Sequence, residues 1–397
     1  MKRTITAYPV RNSNETFCRI YLDNAATTQP FPEVLDAMLP FYGRYYGNPS
    51  AGYELGEKSK KAVEESRNKI AKTLSVEPET IYFTSGGTES DNWALQFAAR
   101  YAGRRRPHII TSRIEHHAVL NMCKELEQRG VRVTYVPTDG DGMVDLEFLE
   151  RSIGPDTAMI SVMFANNEIG TIEPVEKIGR IAKRAGVLFH TDAVQAYGQI
   201  PIRPEQMGID MMSVSGHKFN GPKGIGFLYV RKGIDLKPNI FGGGQERKMR
   251  AGTENVPGIV GIGRAAELSH MILDQKIQYE TRLRNYLIGR ILEEIPETTL
   301  NGSKDARLPN NVNVRFSGIN GGALVALMDL EGVCVSAASA CSAGSNEPSH
   351  VLRAIGNTEE EAYGAVRLTL GPQTTREELQ TAVALLKKSV SRLRELT

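Results

Sequence analysis

The sequence predicts an α/β protein in which a mostly parallel sheet is covered by helices on both faces. Between about residue 81 and residue 230, short apolar stretches alternate with amphipathic helical stretches. These apolar stretches lack the alternation of a half-exposed sheet, which is typical of parallel strands buried on both faces. The length of 397 residues adds a second expectation, a large domain followed by a smaller one.

The first half of the chain supplies the strands of the predicted large domain. Helices are expected over residues 31–74, with breaks at Gly43 and at residues 47–49. The predicted strands are residues 81–83, 108–111, 131–136, 158–164, 187–189, 210–214 and 225–230. Helices are predicted between them, most clearly over residues 116–128 and 174–185.

The last third predicts a smaller α/β domain joined to the first by a long helix. The helical pattern extends from about residue 256 to residue 294. Strands are then predicted over residues 311–316, 333–336 and 365–370, with helices between them. Two capping boxes, Thr358 with Glu361 and Thr375 with Glu378, predict where two of these helices begin.

Composition argues against several classes of function. The formal net charge of +2 predicts neither nucleic-acid binding nor attraction to an anionic membrane. The one compact basic run, Arg104 to Arg106, stands between Gly103 and Pro107 and is expected to be a solvated loop. No stretch has the length of a signal peptide core or of a membrane span, so we expect a cytoplasmic protein.

The cysteines predict free thiols in a reducing compartment. Four of them, Cys18, Cys123, Cys334 and Cys341, are too few for a disulfide framework, and no CxxC pair occurs. Cys334 stands between two valines and is expected to be buried. Cys341 instead lies among small polar residues, SACSAGS, which is a poor core segment.

The segment SGHKFNGPKG, residues 215–224, is the strongest candidate for chemistry. It follows one predicted strand and precedes another, and its glycines and proline disfavour a helix. A lone lysine such as Lys218 is usually a solvated surface residue. At a strand end, however, a lysine beside a hydroxyl and an imidazole is also suited to forming a Schiff base with a carbonyl cofactor.

Polar residues at the other predicted strand ends support the second interpretation. They are Thr88, His116, Asn167, Asp192, Gln195, Ser215 and His217. Each has an ordinary alternative as a cap, a turn residue or a solvated side chain. Together they match the needs of pyridoxal 5'-phosphate: an aspartate for the ring nitrogen, a lysine for the aldehyde, a flat side chain over the ring and a helix start for the phosphate.

Nine motifs, in order along nearly the whole chain, resemble the cysteine desulfurase family of class V aminotransferase-like, fold type I pyridoxal phosphate enzymes. They are LDNAATT, TSGGTESDN, EHHAVL, NNEIG, HTDAVQ, SGHKFNGPKGIG, GGGQERKMRAGT, SACSAGSNEPSHVL and VRLTLG. The resemblance implies a mostly parallel seven-stranded sheet in a large domain, residues 28–270. Residues 1–27 and 271–397 would form the small domain, which carries a mobile loop with Cys341.

The resemblance also implies a role for each candidate residue. Lys218 corresponds to the Schiff-base lysine, and Cys341 to the nucleophile that receives sulfur. His116 corresponds to the ring-stacking residue and proton shuttle, Asp192 to the partner of the ring nitrogen and Gln195 to the partner of the ring hydroxyl. The implied phosphate ligands are Gly87, Thr88, Ser215, His217 and, toward a neighbouring subunit, Thr253. Asn167 and Arg367 would anchor the substrate carboxylate.

The implied activity is removal of sulfur from L-cysteine, giving L-alanine and a persulfide on Cys341. The sulfur would supply iron–sulfur clusters or other acceptors through a scaffold or acceptor protein, and the enzyme would be a homodimer with shared sites. The alternatives are a selenocysteine lyase or another class V enzyme, an inactive protein of the same fold that serves as a binding partner, and a metal protein. The residues His116, His117 and Cys123 lack a usual zinc spacing, so no metal is expected.

Overall fold

A computed structural model describes residues 19–101, 107–337 and 347–396. The strands up to residue 230 are β1 (Ile20–Tyr21), β2 (Ile81–Thr84), β3 (His108–Ser112), β4 (Arg132–Val136), β5 (Thr157–Ser161), β6 (Leu188–Asp192), β7 (Met211–Ser215) and β8 (Gly226–Val230). The helices up to residue 294 are α1 (Pro32–Met38), α2 (Pro40–Gly43), α3 (Glu54–Leu74), α4 (Gly87–Tyr101), α5 (His117–Gln128), α6 (Leu146–Arg151), α7 (Val175–Ala185), α8 (Pro204–Met207) and α9 (Val256–Glu294).

Seven of these strands form the central sheet, in the order β2-β8-β7-β6-β5-β3-β4. Strands β3 to β7 are parallel to one another, whereas β8 is antiparallel to both β2 and β7. Strand β2 therefore has the same direction as β7, and the loops after β2, β3, β5, β6 and β7 lie at one edge. The predicted α/β class with a mostly parallel sheet is confirmed.

Helix α9 connects two hydrophobic cores. It has 39 residues and is about 60 Å long at 1.5 Å per residue. Val256, Ile259 and Ile262 near its start pack in the core of the central sheet. Leu287 and Ile291 near its end pack in a second core that is formed by the last third of the chain. The helix has the bounds that the sequence predicted. Its apolar residues pack in the core of the central sheet near its start and in the second core near its end.

The last third contains β9 (Thr298–Leu300), β10 (Asn311–Phe316), α10 (Gly321–Leu330), β11 (Val333–Cys334), β12 (Ser336–Ala337), α11 (His350–Ala354), α12 (Glu359–Tyr363), β13 (Ala365–Thr369) and α13 (Arg376–Arg394). An antiparallel sheet has the order β12-β13-β10-β9, and β11 pairs with β1 in a separate two-stranded sheet. Both predicted capping boxes are present, with Thr358 and Thr375 as the caps of α12 and α13.

Two details differ from the sequence predictions. The strand predicted over residues 333–336 is divided at Val335, because its halves pair with different partners, β1 and β13. Cys334 is only partly buried, whereas Cys123 is the fully buried thiol. The basic run 104–106 and Cys18 lie outside the described residues. Within the described ranges, no helix is both long and apolar enough to cross a membrane.

Candidate active site

The loops at the carboxyl edge of the central sheet enclose a cavity of about 530 Å³. The lining residues include nine of the predicted site residues, namely Gly87, Thr88, His116, Asn167, Asp192, Gln195, Ser215, His217 and Lys218. Segments that are far apart in the chain, residues 25–27 among them, thus meet at one place. Two other predicted residues, Thr253 and Arg367, are described but are not among the lining residues.

Lys218 lies on the short turn Gly216–Lys218 directly after β7. Its Nζ donates to the backbone oxygens of Ala25, at 2.6 Å, and Ala26, at 2.9 Å. The side chain of Gln195 also donates to Ala25 O, at 2.9 Å. The loop that contains Ala25 and Ala26 therefore fixes the position of both predicted cofactor ligands in the cavity.

His217 is held by the same N-terminal loop. Its backbone oxygen accepts from both the N–H and the hydroxyl of Thr28, each at 2.9 Å, and its Nδ1 is 3.2 Å from Thr27 Oγ1. Burial, with a smaller contribution from Lys218, lowers the pKa of His217 to about 4. The imidazole is therefore neutral at physiological pH and can donate one hydrogen bond to an anion.

The start of α4 is shaped to receive an anion. Gly87 is its first residue, and a Cβ at this position would lie 2.6 Å from Val194 Cγ2, so the close approach requires glycine. The side chains of Thr88 and Ser215 line the cavity beside it. The first N–H groups of a helix have no partner within the helix and, with its dipole, favour a negative charge such as a phosphate.

Asp192 is the last residue of β6 and is 5% exposed. Its Oδ1 accepts from the N–H of Val194 at 2.9 Å. Burial raises the pKa of this carboxyl to about 6, although the Val194 hydrogen bond and Lys218 act in the opposite direction. A cation facing Asp192 would favour the ionised carboxylate further.

His116 caps α5, since its Nδ1 accepts from the N–H of Ala118 at 3.1 Å. Burial, followed by the charge of Lys218, lowers the pKa of His116 to about 4. The ring is therefore neutral, and its proton is on Nε2 because Nδ1 is an acceptor. The neighbouring His117 contacts His350 edge-to-face, with ring centroids 4.8 Å apart, so of the two histidines it is His116 that lines the cavity.

Arg367 lies behind Asn167. Its Nη1 donates to the backbone oxygen of Asn167 at 3.0 Å, and its Nη2 to Asp23 Oδ1 at 2.8 Å. Its Nε is buried and has no hydrogen-bond partner among the described residues. Of the three guanidinium nitrogens, Nε is thus the one without a partner among the described residues, and Asp23 is the group with which a bound carboxylate would compete.

Two further predicted residues are Thr253 and Cys341. Thr253 is exposed on the segment before α9. Cys341 lies outside the described residues, between β12 and α11. Among the described residues, no group of three histidine, cysteine or acidic side chains is placed to bind a metal.

Three charged residues of the cavity wall were not among the predicted site residues: Glu89, Asp91 and Lys223. Two of them occur in the motif TSGGTESDN, directly after the helix start assigned to phosphate. The sequence could therefore have indicated Glu89 and Asp91 as cavity residues, because they lie in the first turns of a helix whose N-terminus was expected to face the site. Lys223 stands five residues after Lys218 on the same loop and carried no further signal.

These features, a lysine after β7, a carboxylate at the end of β6 and a helix start after β2, match a known class. Residues 20–381 match the family Aminotransferase class-V, and the chain belongs to that family. Members of this class are pyridoxal phosphate enzymes.

Curated relatives define the particular family. The chain is 47% identical to Cysteine desulfurase IscS of Dictyoglomus turgidum, over 95% of this chain and 96% of that protein. It is 50% identical to Cysteine desulfurase IscS of Methanosarcina thermophila, over 95% and 93%. The chain is a member of the cysteine desulfurase family, which confirms the resemblance and the predicted class of enzyme.

Solved structures agree with this assignment. A NifS-like protein has a TM-score of 0.89 and 41% identity, over 94% of this chain and 100% of that one. The structure of SspA in complex with cysteine has a TM-score of 0.80 and 38% identity, over 90% and 100%. The predicted fold type is therefore also that of solved structures of NifS-like proteins.

Proposed function

We propose that this cysteine desulfurase uses pyridoxal 5'-phosphate to remove sulfur from L-cysteine, releasing L-alanine and leaving a persulfide on Cys341. The observation that supports this most directly is the convergence of Lys218 and Asp192 on one cavity with a helix start at its end. When bound, the cofactor supplies an aldehyde and a ring that accepts electrons from the substrate.

The residues present fit that cofactor. Gly87 provides the close approach that a phosphate needs, and Thr88, Ser215 and His217 provide donors beside it. Asp192 is an acceptor for a protonated ring nitrogen, and Gln195 a partner for the ring hydroxyl. The neutral ring of His116 provides a flat surface for stacking.

Lys218, Asn167 and Arg367 act on the substrate. Lys218 would hold the cofactor through its aldehyde, and its Nζ would be the base that takes the proton from the substrate Cα. Arg367 Nε and the side chain of Asn167 bind the substrate carboxylate, which orients that Cα–H bond toward Lys218.

Cys341 completes the reaction as a thiolate, because the thiol is a poor nucleophile. Its sulfur forms an S–S bond with the substrate sulfur while the substrate C–S bond breaks and its electron pair stays with the carbon. Protonation of that carbon, in which His116 Nε2 takes part, gives alanine. A cytoplasmic location would suit a reactive thiol, and the two described cysteines, Cys123 and Cys334, form no disulfide.

The proposed assembly is a homodimer in which Thr253 contacts the phosphate of the neighbouring site. Its exposure, away from the cavity of its own chain, supports this role. We further propose residues 28–270 as the large domain and residues 1–27 with 271–397 as the small one. The persulfide would be transferred to an iron–sulfur scaffold or another sulfur-acceptor protein.

The test is to incubate the reconstituted enzyme with cysteine and a reductant and to measure both products. Alanine and sulfide are expected in equal amounts. The variant Cys341→Ala should lose sulfide formation, whereas the control Cys334→Ala should keep it, and Lys218→Ala should lose the imine absorbance of the cofactor. Alanine without sulfide or a persulfide would exclude desulfuration and point to another class V reaction.

A further inference from the structure

The carboxylate of Asp23 connects two residues that pair across neighbouring strands. Ser336 on β12 and Arg367 on β13 are opposite each other in the antiparallel sheet. Asp23 Oδ1 accepts from Arg367 Nη2 at 2.8 Å, and Asp23 Oδ2 accepts from Ser336 Oγ at 2.8 Å. One oxygen of Asp23 is therefore bound to a guanidinium and the other to a neutral hydroxyl.

Arg367 needs an anionic partner because it is buried. Its side chain is 4% exposed, whereas that of Asp23 is 17% exposed. Within the part of the chain that the structure describes, Asp23 is the one acidic side chain at ion-pairing distance from Arg367. A buried guanidinium without such a partner is costly, because it has lost its hydration. Asp23 therefore stabilises Arg367 when no other anion is bound to it.

This ion pair uses only half of one face of the guanidinium. Nε and Nη2 of an arginine lie on the same side, and their two N–H groups can bind both oxygens of one carboxylate. Asp23 contacts Nη2, while Nε is buried and has no partner among the described residues. The hydroxyl of Ser336 explains this, since it holds the second oxygen of Asp23. A ligand carboxylate that binds both nitrogens must therefore take Nη2 from Asp23.

The backbone beside Asp23 is fixed to the strand that carries Arg367. The N–H of Thr369 donates to Leu22 O at 2.7 Å, and the N–H of Ala25 donates to Thr369 Oγ1 at 2.8 Å. Thr369 is two residues after Arg367 on β13. A carboxylate that binds to Arg367 thus meets a second negative charge nearby, even after it has displaced Asp23 from Nη2.

We propose that Asp23 is a specificity-determining residue that competes with the substrate carboxylate for Arg367, and that Ser336 limits this competition. The inference rests on the proposed function, in which Arg367 anchors that carboxylate. Asp23 lowers the affinity for the carboxylate of the substrate and for that of the product L-alanine, and so favours product release. Ser336 is a positioning residue that acts through Asp23, because it keeps one oxygen of Asp23 away from Nε.

The test compares two ligands that differ only in the carboxylate. L-alanine and ethylamine both carry an amine that can react with the cofactor, but ethylamine has no carboxylate. Their dissociation constants are measured with the reconstituted holoenzyme, from the change in cofactor absorbance during titration. Asp23→Asn keeps the shape of the side chain but removes its charge, so it should bind L-alanine roughly tenfold more tightly. Its affinity for ethylamine should equal that of the parent.

Ser336→Ala should have the opposite effect. Without the hydroxyl, the second oxygen of Asp23 is free to bind Nε, and a two-point ion pair competes more strongly. L-alanine should then bind roughly three- to tenfold more weakly, with no change for ethylamine. The matched control, Asp235→Asn, removes an exposed carboxylate paired with Lys237 and should bind both ligands like the parent. Weaker binding of both ligands in both site variants would show a purely structural role and overturn the proposal.

Arg367→Lys separates this inference from the proposed function. Lysine keeps the charge but not the two-point geometry, so L-alanine should bind more weakly and ethylamine should not. If Arg367→Lys binds L-alanine like the parent, Arg367 is not the carboxylate anchor, and that part of the proposed function is wrong together with this inference. If Arg367→Lys binds L-alanine more weakly but Asp23→Asn does not bind it more tightly, the anchor stands and only the competition by Asp23 is overturned.

Discussion

Arg250 and Glu89 form a two-point ion pair at the rim of the candidate active site, with Nε 3.0 Å from Oε1 and Nη2 3.2 Å from Oε2. Glu89 Oε2 also accepts from the N–H of Ser85 at 2.8 Å. Burial alone would raise the pKa of Glu89, but the bonds from Arg250 and Ser85 outweigh it and lower this pKa. The pair links residues 85–88, between β2 and the first turn of α4, to the segment that leads to Thr253. We call residues 85–88 the phosphate loop, because they are proposed to bind the cofactor phosphate.

The first prediction concerns this pair. Arg250→Lys keeps the charge but loses the two-point geometry, which should loosen the phosphate loop and weaken cofactor binding by about 1 to 2 kcal/mol, or roughly five- to thirtyfold. The measurement is the dissociation constant of pyridoxal phosphate, followed by its absorbance or fluorescence. Arg184→Lys, at an exposed pair with Glu150, is the control and should bind the cofactor normally. If the parent protein, Arg250→Lys and Arg184→Lys all bind pyridoxal phosphate equally well, the Arg250–Glu89 pair does not contribute to the phosphate site.

The second prediction concerns the buried pair of Arg67 and Glu246, whose side chains are 3% and 4% exposed. Glu246 begins three consecutive non-glycine residues with left-handed backbone, φ 42°, 57° and 69°. Each costs of the order of 1 kcal/mol or more, so contacts must hold the segment in place. Besides the ion pair, Glu246 accepts from the N–H of Phe83 at 2.8 Å.

Glu246→Ala should therefore destabilise the protein, by up to about 3 to 5 kcal/mol, because the buried guanidinium of Arg67 keeps only the half-exposed Glu64, at 3.3 Å, as an acidic partner. Urea unfolding of the holoenzyme measures the change. The double variant Arg67→Met with Glu246→Ala should be more stable than Glu246→Ala alone, since no uncompensated charge remains. If both variants are equally unstable, packing rather than charge explains the loss.

The third prediction is a pH dependence that arises from Glu168. Its carboxylate accepts from Ser349 at 2.5 Å, and burial raises its pKa from 4.5 to about 7. Between those two values the folded protein holds a proton that the unfolded chain has lost. The contribution of Glu168 to stability therefore falls as the pH rises from about 4.5 to about 7, and it stays level above that range.

Glu168→Gln removes this proton and should flatten the decline, by an amount on the order of 2 kcal/mol. Urea unfolding at pH values between about 5 and about 8 gives the comparison, with the exposed Glu147→Gln as control. Since other buried groups titrate in the same range, the difference between variant and parent is the relevant quantity. Parallel stability curves for the parent and Glu168→Gln would show that Glu168 ionises at its ordinary pKa.

The fold class could be predicted because most strands of the central sheet are buried on both faces, and each is a short, largely apolar stretch that can be recognised locally in the sequence. The sequence was not sufficient where an element depends on a distant partner. Residues 333–336 look like one strand, yet β1 pairs with one half and β13 with the other. Short α6 was also missed, although Asp145 caps it in the ordinary way.

For the site, residues at strand ends could be predicted because parallel strands deliver them to one edge. The contacts that orient them could not. Arg367 pairs with Asp23 across 344 positions and Arg250 with Glu89 across 161 positions, and no local pattern relates such residues.

The fourth prediction tests how closely the sheet supports the phosphate loop. A Cβ at Gly226, the first residue of β8, would lie 2.4 Å from Val214 O and 2.7 Å from Gly86 Cα. Both atoms belong to the backbone, so Gly226→Ala must displace either β7 or the loop before α4. We expect weaker cofactor binding together with a loss of stability of about 1 to 3 kcal/mol, the usual cost of overpacking.

The matched control is Gly289→Ala, on an exposed position of α9 where a Cβ meets no atom within 4 Å. This change should stabilise the protein by about 0.5 to 1 kcal/mol, because alanine loses less backbone entropy in a helix than glycine. Cofactor titration and urea unfolding of both variants separate the two effects. Normal cofactor affinity in a destabilised Gly226→Ala would mean that β7 moves and the phosphate loop does not. The contact between the phosphate loop and Gly226 of β8 would then stabilise the fold without affecting cofactor binding.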